Sequence, residues 1–345
     1  MGMQKGKASL WYETPPVIAA AASIVGEKEG EGPLAGCFDR IETDAMFGKK
    51  TWEEAESELQ RQTALLCLEK AKRAETEIRY LFAGDLLGQI VATSFGVQEL
   101  EIPLFGLYGA CSTMGEAMAL GSMTVNAGYA DRVLAMASSH FASAERQFRF
   151  PLAYGNQRPL STTWTVTGCG CVMVAREGEE HPQAGEKPYA RIRGVTTGKI
   201  VDMDSRDSMN MGAAMAMAAV DTILQNFRDL EVVPGYYDRI ITGDLGVVGQ
   251  KILFDIMEAA GYDIRGIHMD CGIEIFDSAA QDTHSGGSGC GCSAVTLCGS
   301  ILPKLQSGEW KRALFVPTGA LLSQISFNEG QNVPGIAHAV VLEHM

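Results

Sequence analysis

One cysteine in this sequence stands where a thiol can do chemistry. In EIPLFGLYGACSTMGEAMALGSMTVNAGYADRVLAMASS (residues 101–139) an apolar strand leads through Tyr108-Gly109-Ala110 into Cys111, and a helix runs on to about Gly128. A cysteine at a helix N-terminus meets the positive end of the macrodipole and its free N–H groups, which lowers the thiol pKa and favours thiolate. Ser112 or Thr113 is placed to cap the first turn. By residue type alone, Cys111 also fits a plainer role as a small apolar residue filling space. Two further cysteine pairs, Cys169/Cys171 and Cys290/Cys292, are both C-G-C. Zinc sites take four ligands, commonly as C-x₂-C pairs, so C-x-C in glycine-rich apolar runs points to small-residue packing instead.

These residues need elements to position them, and the chain supplies the same elements twice. IRYLFAGDLLGQ (78–89) and DRIITGDLGVVGQ (238–250) each read as an apolar strand, then Gly-Asp-Leu, then a small-residue turn ending in Gly-Gln. Each follows a helical stretch. The first, TWEEAESELQRQTALLCLEKAKR (51–73), opens with Thr51 as N-cap and Glu54 three residues on, a capping box. The second is MGAAMAMAAVDTILQNF (211–227). AGYADRVLAMASS (127–139) likewise parallels SGEWKRALFVPTG (307–319), each with a glycine at a helix end, a basic residue and an apolar strand. Two matched pairs in the same order argue for duplication. The polar loop EGEEHPQAGEKP (177–188) is the natural boundary, giving halves 1–180 and 181–345. Strands alternating with helices predict mostly parallel sheets covered on both faces, and the runs 101–110, 132–138, 171–175, 239–242 and 313–318 are apolar as buried strands should be.

Bulk composition excludes several classes. The 345 residues carry a net charge of −14 and show no basic stripe, which argues against nucleic acid and against charge-driven binding to an anionic membrane. The nine cysteines are Cys37, Cys67, Cys111, Cys169, Cys171, Cys271, Cys290, Cys292 and Cys298. An odd number in a large, methionine-rich chain does not read as a disulfide framework and suits a reducing compartment. The N-terminus lacks an apolar core of signal-peptide length, and the apolar run Val17 to Val25 is far too short for a membrane span.

The surroundings of Cys111 resemble the nucleophile motif of the thiolase superfamily, where Ala-Cys-small-small opens a buried helix. Gly128, Asp131, Val133 and Leu134 match the lead-in to its next strand, and TVTGCGCVMVA (165–175) matches the strand after that. The resemblance implies two duplicated βαβαβαββ-type halves in a layered α-β-α-β-α sandwich, and a homodimer. DTHSGGSGCGCSAVTLCGSILPKLQSGEWKRAL (282–314) resembles the His- or Asn-bearing loop of condensing enzymes, with His284 matching the basic residue, or Thr283 if the register slips by one. A histidine there would take a thiol proton or stabilise an oxyanion. Condensing enzymes usually carry another histidine at the turn that is here Gly243-Asp244-Leu245-Gly246. An ionised Asp244 is an acceptor and would repel an enolate, so the nucleophile position persists while part of the machinery is lost.

Passages outside the general thiolase pattern, among them GEKEGEGPL (26–34), FGKKTWEEAE (47–56) and FRFPLAYGNQRP (148–159), resemble the thiolase-like stage V sporulation family of endospore-forming bacteria. That resemblance implies a non-enzymatic protein that binds dipicolinic acid (pyridine-2,6-dicarboxylate). It also implies action with membrane proteins of the same sporulation operon and a peripheral place at the forespore and spore inner membrane. The runner-up is an acyl-transferring condensing enzyme with Cys111 as nucleophile. For the ligand, the helix N-terminus at Cys111 offers N–H donors. Opposite lie His284 with Thr283 or Ser285, and Asp244 sits at the turn. Arg206 and Asn210 come from VDMDSRDSMNMG (201–212), and Phe327 and Asn328 from SFNEGQN (326–332), Phe327 to stack on the ring. Calcium is expected only as a companion of the ligand. A thiolate at Cys111 would oppose an anion, so ligand binding favours the neutral thiol while the helix dipole favours the charged one.

Overall fold

The computed structural model describes residues 2–148, 158–179 and 187–345. The division expected at 180/181, and most of the passage 148–159, lie outside the described residues. The main sheet path uses β1 (Val17–Gly26), β2 (Tyr80–Gly84), β3 (Leu104–Gly106), β4 (Arg132–Ser139), β5 (Gly168–Ala175), β6 (Ala190–Thr196), β7 (Arg239–Thr242), β8 (His268–Asp270), β9 (Arg312–Val316) and β10 (Ala339–Glu343). Their spatial order is β8-β7-β9-β10-β6-β1-β5-β4-β2-β3. The sets β1-β5-β4-β2-β3 and β6-β10-β9-β7-β8 repeat one pattern: two antiparallel neighbours, then two parallel ones. The sheets are thus half antiparallel rather than mostly parallel, because the last strand of each set returns against the direction of the others. A short pairing, Ile18 with Ala190 and Val17 with Arg191, joins the sets.

Both faces of each sheet are covered, which explains the apolar strand sequences. In β5, Cys169, Cys171 and Met173 face an outer core under α1 (Trp52–Ala71), while Val172 and Val174 face a central core. In β9, Ala313 and Phe315 face the central core, while Leu314 and Val316 face a second outer core under α4 (Met211–Leu230) and α5 (Gly246–Ala259). Between the sheets lie α2 (Thr113–Asn126) and α6 (Cys290–Thr296), so the five layers are α-β-α-β-α. Thr51 and Glu54 form the expected capping box on α1.

The C-G-C motifs meet each other in the central layer. A Cβ on Gly170 would lie 2.4 Å from the Ala294 backbone, and one on Gly291 would lie 2.3 Å from the Gly168 carbonyl. Strand β5 and helix α6 therefore touch backbone to backbone, a contact only glycine permits. All nine cysteines are free. Among the described residues, no group of three or more His, Cys, Asp or Glu is arranged to hold a metal ion. Among them too, no helix is long and apolar enough to cross a membrane.

One expected buried strand is not buried. The run 101–110 contributes only β3, an outer strand in which Leu104 and Phe105 are exposed, Phe105 by 51%. Leu104 and Phe105 lie at the edge of the sheet, while Ile102 and Leu107 of the same run are buried.

Candidate functional site

Cys111 sits in a tight turn, Ala110–Ser112, at the head of α2. Ala110 adopts φ +51°, a left-handed conformation unfavourable for a residue with a Cβ, and this turns the chain sharply before the thiol. Neither Ser112 nor Thr113 caps the helix. Their hydroxyls donate back to the carbonyls of Gly109 and Ala110, each at 2.7 Å. Burial pushes the Cys111 thiol well above its ordinary pKa, and the nearby Asp244 carboxylate pushes it further. Of the two opposed expectations from sequence, the neutral thiol is favoured, because desolvation and a facing carboxylate act against the helix end. Both effects favour the neutral thiol, which hydrogen-bonds Asp244.

Asp244 is 1% exposed. Its Oδ2 accepts from the Gly289 amide at 3.0 Å and its Oδ1 from Thr318 Oγ1 at 2.8 Å. Burial raises its carboxyl to about 7, against the pull of those hydrogen bonds. The Gly289 amide, a natural oxyanion donor, is thus engaged by the protein's own carboxylate and also faces the Cys111 sulfur.

Above Cys111 opens a cavity of about 280 Å³. The first half contributes Leu86 and Tyr108, then Ala144, Glu145 and Phe148 from α3 (Phe141–Phe148). The second half contributes Ser288 and Gly289, the segment Ala320–Ser323, and Ser208 and Met211 at the head of α4. The lining is mostly apolar with several hydroxyls. Among the described residues it contains no lysine, arginine or histidine; its acidic member, Glu145, accepts from Thr165 Oγ1 at 3.1 Å.

The structure brings together Cys111 and Asp244, with Asp244 behind the thiol rather than in the lining. The other expected contacts lie elsewhere. His284 Nδ1 bonds the Pro159 carbonyl at 3.0 Å and its Nε2 lies 3.2 Å from Asp282 Oδ1, both away from the lining. Thr283 is fully buried and bonds Ser278, while the Ser285 hydroxyl accepts from the Val248 amide. The loop 283–285 therefore anchors the start of α5. Arg206 bonds Asn332, and Asn210 caps α4 by accepting from the Ala213 amide at 3.3 Å. Phe327 lines a small crevice adjoining the cavity, sharing Phe148, Ser208 and Ser323 with it, whereas Asn328 is exposed. Its segment is a short helix, Gln324–Asn328, rather than a loop. Sequence reasoning missed Ser288, Gly289 and Thr318. The G-S-G run after His284 was the available signal, four residues beyond the histidine that drew attention.

Structures of known function share this architecture. Human mitochondrial 3-ketoacyl-CoA thiolase superposes with a TM-score of 0.59 over 96% of this chain and 99% of that one, at 11% identity. The 3-oxoacyl-[acyl-carrier-protein] synthase III of Aquifex aeolicus does so with a TM-score of 0.57 over 95% and 99%, at 12% identity. Identities this low establish a thiolase-like fold and nothing more. In sequence, the chain is 40% identical to Stage V sporulation protein AD of Bacillus subtilis (strain 168) over 338 residues, 98% of this chain and 97% of that protein. Residues 6–343 match the family described as Stage V sporulation protein AD. With this match over nearly its whole length, the chain belongs to the Stage V sporulation protein AD family, a sporulation family built on the thiolase-like fold.

Proposed function

We propose that this protein is a non-enzymatic binder of dipicolinic acid, working with membrane proteins of its sporulation operon at the forespore inner membrane. The observation that carries the non-enzymatic reading is the partner of Cys111. A working thiol nucleophile needs a base or a cationic neighbour that yields thiolate, and donors left free for the developing oxyanion. Here the thiol faces a carboxylate, and the Gly289 amide is already occupied by it. What remains is a cavity sized for one small ring system, walled by apolar side chains and hydroxyls, consistent with a binding site. Because no cationic side chain lines it among the described residues, a dianion would bind best with its charge offset, and calcium arriving with the ligand would supply that. Isothermal titration with dipicolinate, with and without calcium, tests the reading. Heat and a thermal shift that disappear when a bulky residue fills the cavity, as in Cys111→Trp, are expected. No heat and no shift at millimolar ligand would sink it.

The exposed edge strand β3 supports a homodimer paired through that edge, and a monomeric mass at micromolar concentration would contradict it. One observation favours the enzymatic alternative: Asp244, raised to about 7, can accept the Cys111 proton. Stable acyl transfer from an acyl thioester to Cys111, lost in Cys111→Ser, would establish that reading instead.

A further inference from the structure

Behind two walls of the cavity runs a chain of buried polar side chains, in which Gln60 Oε1 is left without a partner. Glu56 on α1 is fully buried, accepts from Ser138 Oγ at 2.8 Å, and when protonated donates to Ser143 Oγ at 2.8 Å, whose own proton goes to the His140 carbonyl at 3.0 Å. Gln60, one turn along α1, donates to Ser138 Oγ at 2.7 Å and to Thr93 Oγ1 at 2.9 Å. Thr93 in turn donates its hydroxyl to Asp85 Oδ2 at 2.6 Å and its amide at 2.7 Å. Asp85, Thr93, Gln60, Ser138 and Glu56 are all 0% exposed, and Ser143 is 1% exposed. The ends of the chain abut the cavity: Asp85 precedes Leu86, and Ser143 precedes Ala144 and Glu145 on α3.

No lysine, arginine or histidine side chain among the described residues bonds either carboxylate. The titratable groups facing Glu56 are Glu53 on its own helix, Asp85 after β2 and Cys169 on β5. Cys290 on α6 faces both carboxylates, and Tyr108 faces Asp85. His140 on the neighbouring turn bonds the Ala45 carbonyl, and Arg146 on α3 pairs with Glu53. Two buried carboxylates without a cation cannot both hold charge cheaply. Burial, and after it the Asp85 charge, lift Glu56 to about 8, and burial lifts Asp85 as well.

We propose that the Glu56–Asp85 network is a proton-controlled latch on the cavity: a proton held by this carboxylate pair keeps the Leu86 wall and the α3 wall clamped to α1, and its loss loosens both. Only an opened state admits water to a charged Glu56. Opening is therefore favoured as pH rises from the unfolded value towards the folded one. The inference concerns the empty protein and holds whatever ligand the cavity takes.

Hydrogen exchange, corrected for intrinsic rates, reads the walls directly. Protection of peptides covering 80–96 and 141–148 should fall by up to about tenfold per pH unit between about pH 5 and about pH 8. In Glu56→Gln, which mimics the protonated acid, that slope should vanish. The variant should match the wild type in Tm near pH 5 and exceed it near pH 8. Infrared difference spectra of the unmodified protein between those pH values should show the C=O bands of buried protonated carboxyls bleaching, Asp244 and Glu29 among them, with the total amplitude smaller in the variant by the share of Glu56. A Glu56→Gln protein that fails to fold, or is the less stable one near pH 8, would mean the carboxylate is needed in its charged form and would overturn the latch. So would an unchanged exchange slope, or a carboxyl bleach of equal amplitude in wild type and variant.

Discussion

Gly84-Asp85-Leu86 and Gly243-Asp244-Leu245 occupy the same place in the two halves, after β2 and β7, yet their carboxylates act differently. Asp85 folds back on its own half, taking the Leu87 amide at 2.7 Å and the Thr93 amide and hydroxyl. Asp244 instead takes Gly289 and Thr318 from distant parts of its own half and reaches Cys111 in the other. The neighbouring strand explains the difference. In the second half Asp270 pairs in register with Thr242, and its carboxylate takes the turn amides of Leu245 and Gly246 at 2.9 and 3.1 Å. The matching position beside Ala83 in the first half is Gly106, which has no side chain. Asp85 must therefore satisfy its own turn, while Asp270 frees Asp244 to face the thiol. One position on an outer strand separates the two aspartates' roles: beside Gly106 the aspartate holds its own turn, beside Asp270 it faces the thiol.

Removing Asp270 should break that division most severely. Its carboxylate accepts from Thr242 Oγ1 and from the amides of Leu245, Gly246 and Ile273. Asp270→Ala leaves three backbone amides without their acceptor, while the Thr242 hydroxyl keeps His268 Nε2 at 3.1 Å, a loss on the order of 3–5 kcal/mol. Chemical denaturation measures it. Any folded population should show Asp244 drawn back to its own turn, and an unchanged midpoint would refute the assigned role of Asp270.

The charge on Asp244 gives the next effect, through pH. Its folded pKa, about 7, lies above the ordinary 3.8. The folded state therefore binds the proton more tightly, and this contribution to stability is lost as pH rises from about 4 to about 7. The whole shift corresponds to ~4 kcal/mol. Asp244→Asn should equal the wild type near pH 4.5 and surpass it near pH 8, whereas parallel pH profiles would contradict a buried, raised carboxyl. A gentler test follows the thiol itself. Without the facing charge, Cys111 in Asp244→Asn should react faster with iodoacetamide, since a lower thiol pKa raises the thiolate fraction. Exposed Cys37 serves as the internal reference by peptide mass spectrometry.

The repeat that makes this comparison was readable in the sequence, because Gly-Asp-Leu after an apolar strand is a local pattern and the strands are buried on both faces. The layered fold and the place of Cys111 followed from the same local signals and from resemblance. What was not readable depends on pairing at long range. The thiolate expected at the helix head is opposed first by the burial of Cys111 and then by Asp244, 133 positions later in the chain, which sheet topology brings against it. His284 drew attention as the histidine in the right loop, but its backbone at φ +55° points the side chain to Pro159 and Asp282. The residues that do reach the cavity from that loop, Ser288 and Gly289, have no chemistry to announce them.

The helix starts carry the smallest contrast, and it bears on Asn210. Thr51 caps α1 reciprocally: its hydroxyl accepts from the Glu54 amide at 3.2 Å and the Glu54 carboxylate accepts from the Thr51 amide at 3.3 Å. Asn210 caps α4 one way only, because the third helical residue is Ala213, which cannot reach back. Thr51→Ala should cost about 1–1.5 kcal/mol and Asn210→Ala about 0.5–1 kcal/mol. Asn210 was expected to touch the ligand, yet it holds the helix whose first residue, Met211, lines the cavity. The two roles separate in Asn210→Asp, which keeps the cap but adds a charge. A capping residue predicts stability near that of the wild type and dipicolinate affinity changed less than about threefold, well under 1 kcal/mol. A direct ligand contact predicts that the new carboxylate repels the dianion and that affinity falls by much more than that.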